Sequence, residues 1–552
     1  MGTHFRRAML ILGIVALNVL LFVPAFIWVD GWRAAFRLSF EYGLALLALV
    51  AIAPTRLRTP VRILLVALYS AFALFLFYHH AFKAFFVREP AVVEDWRFAI
   101  NLVHFLSEMR SARWVIFTWG CLIGSLVLIF VIDRLFAALQ RRVHPSRKQL
   151  AVAAAAWIAL GAVSIPLGGP IRMAGAKVAD NYRASVAVRR RLGPLRGAAP
   201  DDRYQSLMKV RLAKRPSFYL LMIEAYGEVL ATWDMAPAYK ALMARVGERL
   251  TAAGYTMRTA YSSAPVHGGR SWLSIATVQS GIFIDEPESF AAFESASRRI
   301  PTLIQFFRNQ GYHTASLEPG TKTRPGLSDY DLYGHDRRVD GMTIDYRGRR
   351  YGFGEIPDQY SLRYFHERDL LPEPRYAWYM AVTTHYPWSD DWLPPFVHDI
   401  ATLNGPNPPV ADDAGWPPLP GVDAIASDMR RNYFKSVEYE WRALTDFLAS
   451  DPSKDLIVIV LGDHQPRLES NSPGAVTFRS PVHVIARDPG FVDRFAELGF
   501  QPGMYADPGH ALQHEGLFSL LVTKLAEAYG TPDTRGLAHY FPDGIGLAGL
   551  NQ

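Results

Sequence analysis

A single cysteine, Cys121, stands in the 552 residues, so no intrachain disulfide can form. Any part of this chain that works outside the cytoplasm must be stable on its core alone, and residues 216–552 are numerous enough to build one. Zinc-finger spacing and a stripe of aromatics interleaved with basic residues are both absent. The net charge of +7 therefore does not read as a nucleic-acid surface, and no nucleic-acid partner is expected. The excess lies between and just after hydrophobic runs, where Lys and Arg collect beside membrane-spanning helices. No small-residue cleavage site follows the first run before Trp32 and Arg33, so that run does not read as a removable signal peptide.

Half of the residues are hydrophobic, and they crowd into the first third. Five segments there read as spans: 9–29, 36–53, 63–77 with its flanks, 114–132 and 150–167. Arg6 and Arg7, then Arg56, Arg58 and Arg62, then Arg141, Arg142, Arg147 and Lys148 fall in alternate loops. The positive-inside rule puts these on the cytoplasmic face, and an odd number of spans leaves the rest outside. The expected organisation is a five-helix transmembrane domain over 1–170, a basic linker over 171–215, and an extracytoplasmic domain over 216–552. The linker reads either as lying near anionic headgroups or as a solvated connector. The aromatic-rich loop 81–113 reads as an interfacial anchor, with direct lipid binding as the other reading.

From Pro216 the pattern changes. Short apolar runs at 217–223 (SFYLLMI), 313–317, 378–383, 456–461 (LIVIVL) and 481–486 read as buried strands. They alternate with helical periods at 236–253, 299–310, 423–449 and 512–529. The expected fold is α/β, a mostly parallel sheet sandwiched by helices. Ligands of such sheets gather at the carboxyl ends of the strands. Glu224 directly follows one apolar run, Asp463 and His464 follow another, and His385 follows YMAVTT.

Carboxylates with imidazole suit a divalent metal ion: zinc, manganese or magnesium. Glu224, Asp463 and His464 supply three ligands and leave a position for a reacting group. Ser271, in PVHGGRSW, opens a helical stretch at 271–279, where free N–H groups favour a phosphate. A hydroxyl there suits a nucleophile. Serine is equally a preferred helix cap, and the local sequence leaves both readings open.

These pieces resemble the alkaline phosphatase/sulfatase superfamily. They are closest to its membrane-bound branch of lipoteichoic acid synthases, phosphoglycerol transferases and phosphoethanolamine transferases. The resemblance is carried by LLMIEAYG, GGRS, TTHYPW and VIVLGDHQP, in that order. It implies Glu224, Ser271, Asp463 and His464 as metal ligands, Ser271 as the residue modified covalently, and His385 as a contact to phosphate or leaving group. His514, in QHEGLFSLL, resembles a histidine of the phosphoethanolamine branch and is expected to bind substrate or a second metal. Arg324, His267 and Arg270 are expected phosphate contacts by charge and position. The branch usually carries Thr where Ser271 stands. The stretch Ser271-Trp-Leu-Ser lacks the Pro and Arg of the sulfatase pattern, which argues against a sulfatase.

The resemblance further implies a multi-pass protein of the bacterial cytoplasmic (inner) membrane with its catalytic domain on the periplasmic side. It would move a phospholipid headgroup phosphate to an envelope glycan or lipid acceptor. Two other readings stay open on the residues: a phosphodiesterase or phosphatase of the same fold, and a non-catalytic membrane assembly module.

Overall fold

The computed structural model describes residues 3–27, 36–53, 56–86, 90, 112–167, 170–173, 175–192, 202–296, 300–321, 332–369, 371–405, 411, 415–469 and 477–545. The chain divides into two compact units, Met1–Arg190 and Arg191–Gln552.

The first unit holds helices α1 (Thr3–Ala25), α2 (Phe40–Ala51), α3 (Arg58–Phe86), α4 (Ala112–Arg142) and α5 (Arg147–Ser164). They fall at the five expected places. Leu17, Leu21, Tyr69, Ile132 and Phe136 pack inward. The Tyr69 hydroxyl donates to the Leu17 carbonyl at 2.6 Å, and Arg62 pairs with Asp133 at 2.8 Å across α3 and α4. Facing outward, Leu64, Leu68, Leu74, Leu126, Val127 and Phe130 are each more than half exposed. An outer surface of this kind marks contact with lipid or another apolar partner.

Two helices among the described residues are long and apolar enough to cross a bilayer: Arg58–His80 within α3 and Leu122–Arg142 within α4. The expectation of five such spans is corrected to that extent. The clearest departure is α2. Ser39 caps it by accepting a hydrogen bond from the Tyr42 N–H, and Leu38–Ser39 pair in parallel with Ile171–Arg172. The helix therefore begins late and has 12 residues. At 1.5 Å per residue that is about 18 Å, short of a ~30 Å hydrocarbon core.

Among the described residues the second unit has nine strands: β1 (Ser217–Ile223), β2 (Thr256–Ser263), β3 (His313–Glu318), β4 (Arg337–Asp340), β5 (Arg375–Ala381), β6 (Leu456–Gly462), β7 (Arg479–Ala486), β8 (Gln501–Pro502) and β9 (Ala511–Gln513). Their order is β8-β2-β7-β6-β1-β5-β3-β4, with β9 beside β2. From β6 to β4 in that order the strands run parallel, as expected. The pairs β6–β7, β7–β2 and β2–β8 are antiparallel, so the sheet is mixed. Helices cover it, chiefly α6 (Ala236–Ala252), α7 (Ser271–Ser280), α8 (Asp358–Tyr364), α9 (Asp428–Ser450) and α10 (His514–Tyr529). In α9, Tyr433, Val437, Trp441, Leu444 and Leu448 recur at helical spacing and are buried.

Strand β1 is buried at every position and lies between β6 and β5, which explains its unbroken apolar run. Gly462, at the end of β6, allows a very close approach. A Cβ there would stand 1.8 Å from the Tyr226 carbonyl oxygen, which is backbone and cannot swing away. Gly462→Ala is expected to destabilise the protein by roughly 1–3 kcal/mol, the range for overpacked interiors. A thermal melt would show it, and an unchanged midpoint would contradict the packing described.

Candidate metal centre

Three neighbouring parallel strands, β6, β1 and β5, end on one edge of the sheet. Glu224 follows β1, Asp463 and His464 follow β6, and His385 lies four residues past β5. Strand β2 reaches the same edge by a different route. It is antiparallel to β7, which is antiparallel to β6, so β2 runs in the direction of β6. The loop that leaves β2 leads to Ser271, the first residue of α7.

That loop is bent by three consecutive left-handed residues, Gly268, Gly269 and Arg270, with φ of 68°, 136° and 68°. For Arg270 this conformation costs on the order of 1–2 kcal/mol. The loop is tied to the segment after β6. The Gly268 N–H donates to the Gln465 carbonyl at 3.0 Å, and Arg467 Nε donates to the Gly268 carbonyl at 2.9 Å. The loop before Ser271 and the Asp463–His464 loop are thus one structure.

Glu224, Asp463 and His464 are buried, and their ligand atoms all lie within 4.8 Å of one another. Ser271 Oγ donates to Glu224 Oε2 at 2.8 Å. Asp463 Oδ1 accepts from the N–H groups of Ala225 (2.8 Å) and His464 (2.7 Å). Ala225 has a φ of 52°, a second strained non-glycine position, and this turns its amide toward the carboxylate. The His464 ring contacts the Gln465 carbonyl through Nδ1 at 2.9 Å, which leaves Nε2 to the two carboxylates. Nε2 stands 3.3 Å from Glu224 Oε1 and 3.4 Å from Asp463 Oδ2, without hydrogen-bond alignment to either.

Asp463 Oδ2 and His464 Nε2 are therefore buried polar atoms with no hydrogen-bond partner among the described residues. Such atoms are costly unless something else pairs with them. The electrostatics agree. Burial and the Glu224 charge push the Asp463 carboxyl up to about 8. Burial opposes charge on His464, but Asp463 and Glu224 outweigh it and raise the imidazole to about 9. Two carboxylates and one imidazole, buried together with unused lone pairs, fit a divalent cation.

His385 stacks on Phe353 with ring centroids 4.0 Å apart and engages the Tyr386 carbonyl through Nδ1. Burial lowers its pKa, while the Glu224 charge raises it in part, which places the ring in the field of the cluster. His267 is buried and pairs in a bridge with Gln465. Neither of its ring nitrogens has a hydrogen-bond partner among the described residues. Arg270 is buried beside Ser271 and reaches the Asp285 carbonyl at 3.4 Å. His514 is fully buried with both nitrogens engaged inside the fold: Nδ1 with Ser262 Oγ at 2.9 Å and Nε2 with the Gly462 carbonyl at 3.1 Å. There it supports the backbone that carries Asp463. Arg324 lies outside the described residues.

One cation escaped the sequence reading. Arg467 lies three residues beyond His464, and its charge is felt at both His267 and His385. Its signal was present as the Arg of GDHQPR, but nothing in the local pattern separated it from an ordinary surface arginine.

No protein-family model matches the sequence, and no curated protein sequence matches it. Among solved structures, the chain is similar to the integral membrane lipooligosaccharide phosphoethanolamine transferase A from Neisseria meningitidis. The identity is 13%, 94% of each chain is covered, and the TM-score is 0.49. It is similar also to the lipoteichoic acid synthase LtaP from Listeria monocytogenes, at 15% identity over 63% of this chain and 80% of that one, with a TM-score of 0.35. A third is the Streptococcus pyogenes phosphoglycerol transferase GacH in complex with sn-glycerol-1-phosphate, at 10% identity over 64% of this chain and 89% of that one, with a TM-score of 0.35.

Proposed function

We propose that this chain is a membrane-anchored, divalent-metal-dependent transferase. It takes the headgroup phosphate of a phospholipid, phosphoglycerol or phosphoethanolamine, onto Ser271 and passes it to a hydroxyl of an envelope glycan or lipid. The observation that carries this reading is the buried cluster of Glu224, Asp463 and His464, with the Ser271 hydroxyl held against it at the start of a helix.

Glu224, Asp463 and His464 would hold the metal, with Ser271 Oγ as a further ligand. A divalent cation bound there would make the Ser271 hydroxyl a nucleophile at neutral pH and neutralise charge on the phosphoryl oxygens. Glu224 fixes the direction of Oγ through its hydrogen bond. The first N–H groups of α7 face a phosphate with the positive end of the helix dipole. Arg467, Arg270 and His267 add cationic or hydrogen-bonding character around it.

In the first half-reaction Oγ forms a bond to phosphorus and the bond from phosphorus to the diacylglycerol oxygen breaks. Ser271 passes its proton to Glu224, which accepts its hydrogen bond, and the departing oxygen takes one from protonated His385. In the second half-reaction an acceptor hydroxyl attacks phosphorus, His385 takes its proton, and the bond to Oγ breaks as Glu224 returns the proton to Oγ. His385 suits both roles because Nδ1 is engaged with the Tyr386 carbonyl, which leaves Nε2 for proton exchange. Two helices long and apolar enough to cross a bilayer, within α3 and α4, support a lipid donor. In this reading all five N-terminal helices serve as the anchor and the second unit works on the periplasmic side of a bacterial inner membrane.

The test uses purified full-length protein in detergent with vesicles of phosphatidylglycerol or phosphatidylethanolamine. Diacylglycerol release is measured with manganese or zinc, after chelation, and after metal is restored. The expected result is release from one lipid that chelation abolishes and metal restores. Release that chelation leaves unchanged would overturn the reading.

A further inference from the structure

A cavity of about 500 Å³ lies beside the His385 segment, and nothing in the mechanism above uses it. Its volume is within the usual range of small-molecule sites, ~300–1,000 Å³. One wall is the segment 390–396 and another is the face of α9 that carries Lys435, Glu438 and Arg442. The link to the reacting centre is short. Tyr351 lines the cavity, and Phe353, two residues on, is the ring on which His385 stacks. Asp390, on the other wall, is five residues beyond His385. Even a fully extended chain of that length spans no more than about 17 Å.

The charges around the cavity balance. Arg349, Lys435 and Arg442 stand against Asp390, Asp391 and Glu438. Lys435 pairs with Asp390 at 3.2 Å, and Trp416 Nε1 donates to Glu438 at 3.0 Å. A site built for a phosphate would show an excess of positive charge, and this one does not. Flat rings complete it: Arg442 lies 3.6 Å over Phe396, and Arg349 lies 5.3 Å over Tyr351. The Tyr351 hydroxyl is buried and has no hydrogen-bond partner among the described residues. Paired donors and acceptors of both signs beside a buried tyrosine hydroxyl with no partner among the described residues match a ligand that is uncharged and rich in hydroxyls.

We infer that this cavity binds neutral sugar units of the acceptor and so presents one of their hydroxyls toward His385. This deepens the transferase reading and rests on it, but sugar binding here does not require turnover. The Tyr351 hydroxyl supplies a hydrogen bond to the sugar, and Trp416 and Phe396 supply apolar walls.

The experiment is titration calorimetry on metal-free, full-length Ser271→Ala protein with maltotriose, cellotriose and chitotriose, and separately with glycerol phosphate. Because the titration reads binding and no acceptor or donor turnover, the outcome is independent of whether Ser271 is the nucleophile. At least one trisaccharide is expected to bind saturably, glycerol phosphate is expected not to displace it, and adding Tyr351→Phe is expected to weaken binding up to about tenfold through loss of one hydrogen bond. Trp416→Phe, which keeps an aromatic wall but removes the donor to Glu438, is expected to weaken it as well. Saturable binding of none of the three sugars, binding unchanged in both variants, or displacement by glycerol phosphate would each overturn the inference.

Discussion

Asp463→Asn protein is expected to bind manganese or zinc more than ~100-fold less tightly than the unaltered protein, beyond the 10–100-fold typical of residues that only support a ligand. Asp463 Oδ2 is a buried oxygen with no hydrogen-bond partner among the described residues, while Oδ1 is held by two backbone amides. The substitution would thus remove a candidate metal ligand from a position that the backbone fixes. The metal-free protein should respond in the opposite sense. Burial and Glu224 raise the Asp463 carboxyl to about 8, from an unfolded value near ~4. The folded metal-free chain then holds a proton that the unfolded chain has released, so its stability falls as pH rises through that window. A neutral amide at this position carries no such penalty. Metal-free Asp463→Asn protein should therefore melt higher than the metal-free parent at pH 8, with the difference fading toward pH 4.

Metal displaces the same proton. Affinity in the unaltered protein should therefore rise with pH, about tenfold per unit for each proton released, up to the region where Asp463 and His464 have ionised or lost their protons. Calorimetric titration at several pH values measures this directly. Affinity independent of pH, or retained in Asp463→Asn, would remove Asp463 from the metal centre.

The sequence showed the site more clearly than the sheet that carries it. The runs at β1 and β6 are buried on both faces, so they read as unbroken apolar strands, and Glu224 and Asp463–His464 could be placed at their ends. His385 followed in the same way from β5. Strand β2, TMRTAYSS, gave no such signal. Its Thr, Arg and Ser positions interrupt the apolar ones, since buried Thr259 and Ser262 hydrogen-bond His483 and His514 and Arg258 reaches Asp493. Without β2 the mixed character of the sheet was hidden. The direction that brings Ser271 to the metal edge was hidden with it. Four-residue β4, with two arginines, carries no apolar run to mark it as a strand. His514 was legible as a motif, but only the structure shows both of its nitrogens engaged inside the fold. In the first unit, hydropathy located helices α1 to α5. It could not show that Ser39 caps α2 and shortens it.

Ser271→Ala carries the second large effect. Loss of a nucleophile from an assembled site lowers turnover by on the order of 10⁴-fold or more. Metal affinity should change far less, since Glu224, Asp463 and His464 keep their positions. A residue that only capped α7 would behave differently. Removing a serine cap costs about 1 kcal/mol of stability and would not abolish catalysis. Stability and turnover measured on the same variant separate the two roles. Ser271→Thr keeps the hydroxyl at the same backbone position and should restore turnover that Ser271→Ala lacks.

The most direct measurement is mass spectrometry of the peptide that contains Ser271 after the metal-loaded, full-length protein has been mixed with the donor phospholipid and quenched within a turnover. The expected result is that peptide bearing the mass of phosphoglycerol or phosphoethanolamine, with no such adduct on Ser271→Ala. Diacylglycerol release from Ser271→Ala at the parental rate, with no adduct on the parent, would contradict the account.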